Sequence, residues 1–111
     1  MSLSKEQQEF TKDVARLIVF AETQEIGLTM GDAYRSEYQQ AEYVRTGKSK
    51  TMNSKHCNRL AIDFNFFING KLTYEKKDVE VLGEYWEILD SKNKWGGNWN
   101  FVDTPHFQRT V

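Results

Sequence analysis

Apolar residues at Phe10, Val14, Leu17, Ile18 and Ala21 return at the three-and-four spacing of one helical face, and no Gly or Pro interrupts them. That spacing predicts a helix from Ser4 to Glu22, with Ser4 and Gln7 spaced as a capping box at its start. Gly27 and Gly31 bracket a short extended piece, Leu28-Thr29-Met30, and Ser36 to Thr46 forms a second helix closed by Gly47. The polar, aperiodic stretch from Gly47 to Lys55 reads as a loop. From Leu60 to Ile68 the residues alternate as in a strand, with Leu60, Ile62, Phe64 and Phe66 on one face and Ala61, Asp63, Asn65 and Phe67 on the other. Asn69-Gly70 is a tight-turn pair that returns the chain along Lys71 to Tyr74. A third helix spans Asp78 to Ser91, with Asp78 near its cap and Val79, Leu82, Trp86 and Leu89 buried. Trp95-Gly-Gly-Asn-Trp99 then makes a glycine-hinged aromatic loop, and Phe101 to Gln108 an extended end. The expected fold class is α+β, with helices packed on a small antiparallel sheet.

Composition narrows the possibilities. The 111 residues suit one domain covering 1–111, with no room for a catalytic module beside a separate anchoring module. Fifteen Lys and Arg against sixteen Asp and Glu leave a net charge of −1, so total charge points to no nucleic acid and no membrane surface. The longest strongly apolar run, Leu17 to Ala21, is far too short to span a bilayer. Glu6 to Glu9 stand where a secretory leader would be apolar, so no signal peptide is expected. The lone cysteine, Cys57, excludes an intramolecular disulfide and a four-cysteine zinc site.

The chemistry concentrates around the only two histidines, each of which has an aspartate nearby. His56 precedes Asp63 in SKHCNRLAID, and His106 follows Asp103 in FVDTPHF. Two imidazoles and one carboxylate suffice as protein ligands for a catalytic zinc, leaving a fourth position for water and a fourth side chain as base. His56 and Asp63 are too far apart along a helix to share an ion, so His56 belongs to the loop end and Asp63 to the strand. Pro105 favours an extended or polyproline path that brings Asp103 and His106 to one side, one to hold metal and the other to work beside it. Between Tyr43 and Ile62 lie Arg45, Lys48, Lys50, Lys55 and Arg59 with no acidic residue, a basic approach suited to an anionic substrate. Cys57 beside His56 raises a thiol-protease alternative. Neighbours in an extended chain face opposite ways, which turns its sulfur from the His56 side chain.

These segments resemble the zinc peptidases of the D-Ala-D-Ala carboxypeptidase family, particularly the phage L-alanyl-D-glutamate endopeptidases that cut peptidoglycan stem peptides. The family pattern Ser-x-His-x-x-Gly-x-Ala-x-Asp is matched by Ser54, His56, Ala61 and Asp63, with Arg59 where the pattern has Gly. Trp-Gly-Gly, a gap, then Phe-x-Asp-x-Pro-His-Phe is matched by Trp95, Gly96, Gly97, Phe101, Asp103, Pro105, His106 and Phe107. Tyr34-Arg35-Ser36 before a glutamine-bearing helix looks like the family's arginine motif.

The resemblance implies a hedgehog/DD-peptidase-like fold and a zinc ion (Zn2+) bound by His56, Asp63 and His106. It makes Asp103 the general base and Arg35 the group that holds a substrate carboxylate or the developing oxyanion. Ser54 is expected to orient substrate or the loop, and Trp95 and Trp99 either wall the substrate groove around the two glycines or pack as a lid on the core. It further implies a monomer that acts on peptidoglycan stem peptide after release from the host cytoplasm, with terminal D-Ala trimming or a non-catalytic binding role as alternatives.

Overall fold

A computed structural model describes residues 1–111. In chain order its elements are helix α1 (Leu3–Thr23), strand β1 (Gly27–Met30), helix α2 (Glu37–Arg45) and strand β2 (Ala61–Ile68). Strand β3 (Lys71–Thr73), helix α3 (Lys76–Leu89), strand β4 (Asn93–Trp95) and strand β5 (His106–Arg109) follow. Single 3-10 turns occupy Lys55–Asn58 and Gly96–Asn98. All strand pairs are antiparallel. The order is β1-β2-β5-β4, with β3 also paired to β2. β2 is therefore the axis of the sheet: β1 runs along one edge, while β5 and then β3 take successive halves of the other. The α+β architecture is as expected.

The period-two alternation of β2 sends Leu60, Ile62, Phe64 and Phe66 into the core, each no more than 5% exposed. They meet Phe10 and Leu17 of α1, and Val79, Leu82 and Trp86 of α3. Phe107 sits among them, with its ring edge-on to Phe64, Phe66 and Trp86. Asn69 and Gly70 both take positive φ, 52° and 77°, the geometry a two-residue hairpin turn requires.

The first helix differs from its predicted form. Its cap is Ser2, whose hydroxyl accepts from the Lys5 amide, so the Ser4–Gln7 pair lies inside the helix. Ile18 is 44% exposed, while Glu6 and Asp13 are buried. Hydrogen-bonding partners explain this: the buried Arg109 donates to Glu6 Oε1 through Nε (3.0 Å) and Nη2 (2.8 Å), and the partly exposed Lys92 reaches Glu6 Oε2 through Nζ at 2.8 Å. Asn93 Nδ2 donates to Asp13 Oδ2 at 3.0 Å. Helix α3 starts at Lys76 without a side-chain cap bond, and Asp78 instead accepts from the Thr73 hydroxyl.

The largest correction concerns Trp95. Trp95 ends a strand, is fully buried and donates from Nε1 to the Thr104 carbonyl at 2.8 Å. It is a core residue, and the place in the substrate groove considered for it is not what the structure shows. A Cβ on Gly83 or Gly97 would fall inside its indole, so both glycines serve its packing. Of the expected extended end, only His106–Arg109 is strand.

Candidate active site

Asp63 and His106 are direct partners across β2 and β5, on the sheet face opposite the core. His56 arrives from the 3-10 turn just before β2, whose N-cap is Ser54: the Ser54 hydroxyl accepts from the His56 amide at 3.2 Å. The three side chains converge. His56 Nε2 lies 3.2 Å from His106 Nδ1 and 3.3 Å from Asp63 Oδ1, and His106 Nδ1 lies 3.2 Å from the same oxygen. Four ligands around zinc at ~2.0 Å are separated pairwise by about 3.3 Å, so this triangle has the edge length of one face of a tetrahedral site.

The outer nitrogens fix what points inward. His56 Nδ1 faces the Ala33 carbonyl at 3.0 Å, and His106 Nε2 faces Gln108 Oε1 at 2.8 Å. Each ring donates its proton outward to those oxygens, so a neutral imidazole turns a lone pair toward the Asp63 oxygen. Three lone pairs meeting at one point call for positive charge. A proton taken up by the rings is the other source of that charge, and it turns an N–H rather than a lone pair toward Asp63. Burial alone would raise the Asp63 pKa, but hydrogen bonds with His106 and His56 outweigh it and hold the carboxyl well below its ordinary range. Burial would likewise lower that of His106, yet Asp63 and Gln108 raise it. The donor set fits a zinc ion.

Asp103 lines the same cleft as these three residues, a space of about 370 Å³. Burial raises its pKa, a bias toward holding a proton that a cation beside it would oppose. Asp103 and His106 are joined by a turn closed by the His106 amide on the Asp103 carbonyl at 3.2 Å, and not by a polyproline run. Gly96 backs this turn. Its carbonyl accepts from the Asp103 amide at 2.9 Å, and a Cβ there would press on the Asp103 carbonyl oxygen and lie 3.1 Å from both Asp103 Cβ and His106 Cβ.

Arg35 reaches the cleft from the segment after β1. Its Nε and Nη2 donate to Asp32 Oδ2 at 3.3 and 2.9 Å, and Nη1 donates to Gln40 Oε1 at 2.8 Å. Tyr43 lies under the guanidinium, 4.7 Å from ring centroid to Cζ. One N–H on each of Nη1 and Nη2 stays free for substrate. Gln40 is fully buried and donates onward to Ser49 Oγ and the Thr51 carbonyl, tying Arg35 to the loop that walls the cleft. Of the two tryptophans considered for the groove wall, Trp99 takes that position, 37% exposed and tilted against His106, and Trp95 does not.

Of the basic run, Lys48 and Lys55 line the cleft. Arg45 pairs with Glu42, Lys50 lies over Phe101 and Arg59 over Tyr34. Cys57 belongs to the 3-10 turn rather than to an extended chain, and its sulfur faces the Ser36 carbonyl, away from the cleft. Asp32, Gln40, Tyr43 and Gln108 escaped the reading of the sequence as site residues. Gln108 carried a usable signal, since two residues beyond His106 on a strand is the same face.

Comparison with known proteins bears on this geometry. Residues 47–109 match the family model described as D-alanyl-D-alanine carboxypeptidase. The L-alanyl-D-glutamate peptidase of Listeria phage A118 is 34% identical over 103 residues, covering 88% of this chain; the chain spans 36% of that protein's length. The crystal structure of the Serratia marcescens L-Ala D-Glu endopeptidase ChiX superposes with a TM-score of 0.73 at 26% identity, over 96% of this chain and 85% of that one. No helix of this chain is long and apolar enough to cross a membrane. With the matched segment containing His56, Asp63, Asp103 and His106, the chain belongs to the D-alanyl-D-alanine carboxypeptidase family of peptidases.

Proposed function

We propose that this chain is a zinc-dependent peptidoglycan peptidase of the phage endolysin kind, a monomeric single catalytic domain cleaving the L-alanyl-D-glutamate bond of stem peptides. The observation that carries the reading is the triangle of ligand atoms from His56, Asp63 and His106, 3.2–3.3 Å on each side, in one cleft with the half-buried carboxylate of Asp103. His56, Asp63 and His106 would hold the metal, which when bound supplies a Lewis acid that brings the pKa of water toward ~7 and polarises the scissile carbonyl. Asp103 takes the proton of the attacking water and returns it to the leaving amine. Arg35, fixed by Asp32 and Gln40, offers its two free N–H groups to the carbonyl oxygen as charge develops there. Ser54 holds the His56 turn. Release from the host cytoplasm to the cell wall completes this picture.

The test is digestion of purified peptidoglycan followed by mass spectrometry of the fragments. New L-alanyl carboxyl and D-glutamyl amino termini, lost with a chelator and kept with a thiol-blocking reagent, are expected. Release of free D-alanine alone would make the chain a carboxypeptidase, and no new termini would leave it a binding module.

A further inference from the structure

The cleft holds three fixed cationic side chains, and they are not equivalent. Arg35 is committed: its side chain is 11% exposed, it is paired with Asp32 at 2.9 Å, and Asp63 Oδ2 stands 3.9 Å from Nη2. Lys48, in the loop after α2, and Lys55, at the start of the 3-10 turn, both line the cleft, and neither takes part in a salt bridge or a side-chain hydrogen bond. The carboxylates lining the cleft are Asp63 and Asp103, the first turned toward the two imidazoles. A metal dication would leave the cleft more positive still. An ammonium group without an anionic partner, beside a space of about 370 Å³, is a receptor for a carboxylate brought in by a ligand.

The proposed substrate brings one. In an L-alanyl-D-glutamyl bond the nitrogen that leaves is attached to the carbon bearing the glutamyl α-carboxylate, so this anion is two bonds from the reacting atom and must lie inside the cleft. We propose that Lys48 and Lys55 form the subsite for that α-carboxylate and make the enzyme selective for stem peptides carrying it free rather than as the carboxamide. This rests on the functional reading above. Lys48 is braced for the role by Tyr43, whose ring lies 5.7 Å from Nζ, and Lys55 by its place in the 3-10 turn that presents His56.

The experiment compares kcat/KM of the zinc-loaded full chain on two synthetic peptides, L-Ala-γ-D-Glu-L-Lys and the same peptide with its glutamyl α-carboxylate as the amide. The readout is the ratio of the two within one preparation, from which any loss of folded protein cancels. A preference for the free acid of about tenfold or more is expected from one charge-assisted contact. In Lys48→Gln/Lys55→Gln the ratio should fall toward one, the loss residing in KM. Equal cleavage of both peptides by the unaltered chain overturns the proposal alone, as does an acid preference that survives the double substitution. Cleavage of neither peptide overturns the functional reading, and this proposal with it.

Discussion

Arg59 holds φ 57° and ψ 38° at the end of the 3-10 turn, the left-handed conformation that glycine takes without cost. The family pattern has Gly at this place, so the backbone shape is kept here by a residue that is strained in it. Its guanidinium lies 4.1 Å over the Tyr34 ring, which offsets part of the strain. Arg59→Ala should lose that contact and keep the strain, whereas Arg59→Gly relieves it. The glycine variant is expected to be the more stable of the two by about 1 kcal/mol, read from urea denaturation midpoints at equal m. At Asp103 the expected division is chemical: Asp103→Asn should bind zinc with the stoichiometry of the unaltered chain while kcat falls ~10²- to 10⁴-fold. A full complement of metal with undiminished turnover would remove Asp103 from the mechanism.

At the scale of elements, the site depends on a strand pair and a turn held in register, and the glycine behind the turn is its tightest point. Gly96→Ala should push Asp103 and His106 apart from their present places, with zinc affinity falling about tenfold or more by calorimetry. The other end of β5 is clamped to α1 through Arg109 and Glu6. Hydrogen bonds from Lys92 and Arg109 lower the pKa of Glu6 below its ordinary 4.5, and the Lys92 amide with Arg109 does the same for Asp90. The unfolded chain therefore takes up protons first as pH falls. The stabilisation is complete above about 4.5 and is lost below it, as the pH passes through the lower folded values. Glu6→Gln should lower Tm at neutral pH, and its deficit against the unaltered chain should shrink below pH ~4; a deficit constant with pH would contradict the clamp. This clamp also shows where the sequence was silent. Apolar periodicity located α1 to within a residue or so, but it assigned Ile18 to the core and missed Glu6 and Asp13. Their burial depends on Arg109, Lys92 and Asn93, some eighty or more residues away.

Across the whole molecule, β2 separates two kinds of chemistry: its even positions build the core, and Asp63 on the other face enters the cleft. That division could be read from alternation, a local property of the chain, whereas the convergence of His56, Asp63, Asp103 and His106 came only from the resemblance of two distant segments to a family pattern. The place of Trp95 was left between groove wall and core, because a tryptophan beside two glycines looks the same whether the glycines free a loop or make room for the indole; the structure takes the core. Asp32 was likewise silent, and Gln40 entered only as part of a glutamine-bearing helix, since the roles of both exist only once Arg35 is folded between them. The central claim is that His56, Asp63 and His106 hold one catalytic zinc. Its most direct measurement is the stepwise return of zinc to metal-stripped protein while cleavage of an L-alanyl-D-glutamyl peptide is followed. No turnover is expected without metal, and activity should rise linearly to a plateau at one ion per chain. Turnover by the stripped protein in chelator, or a plateau reached unchanged by His56→Ala, would contradict it.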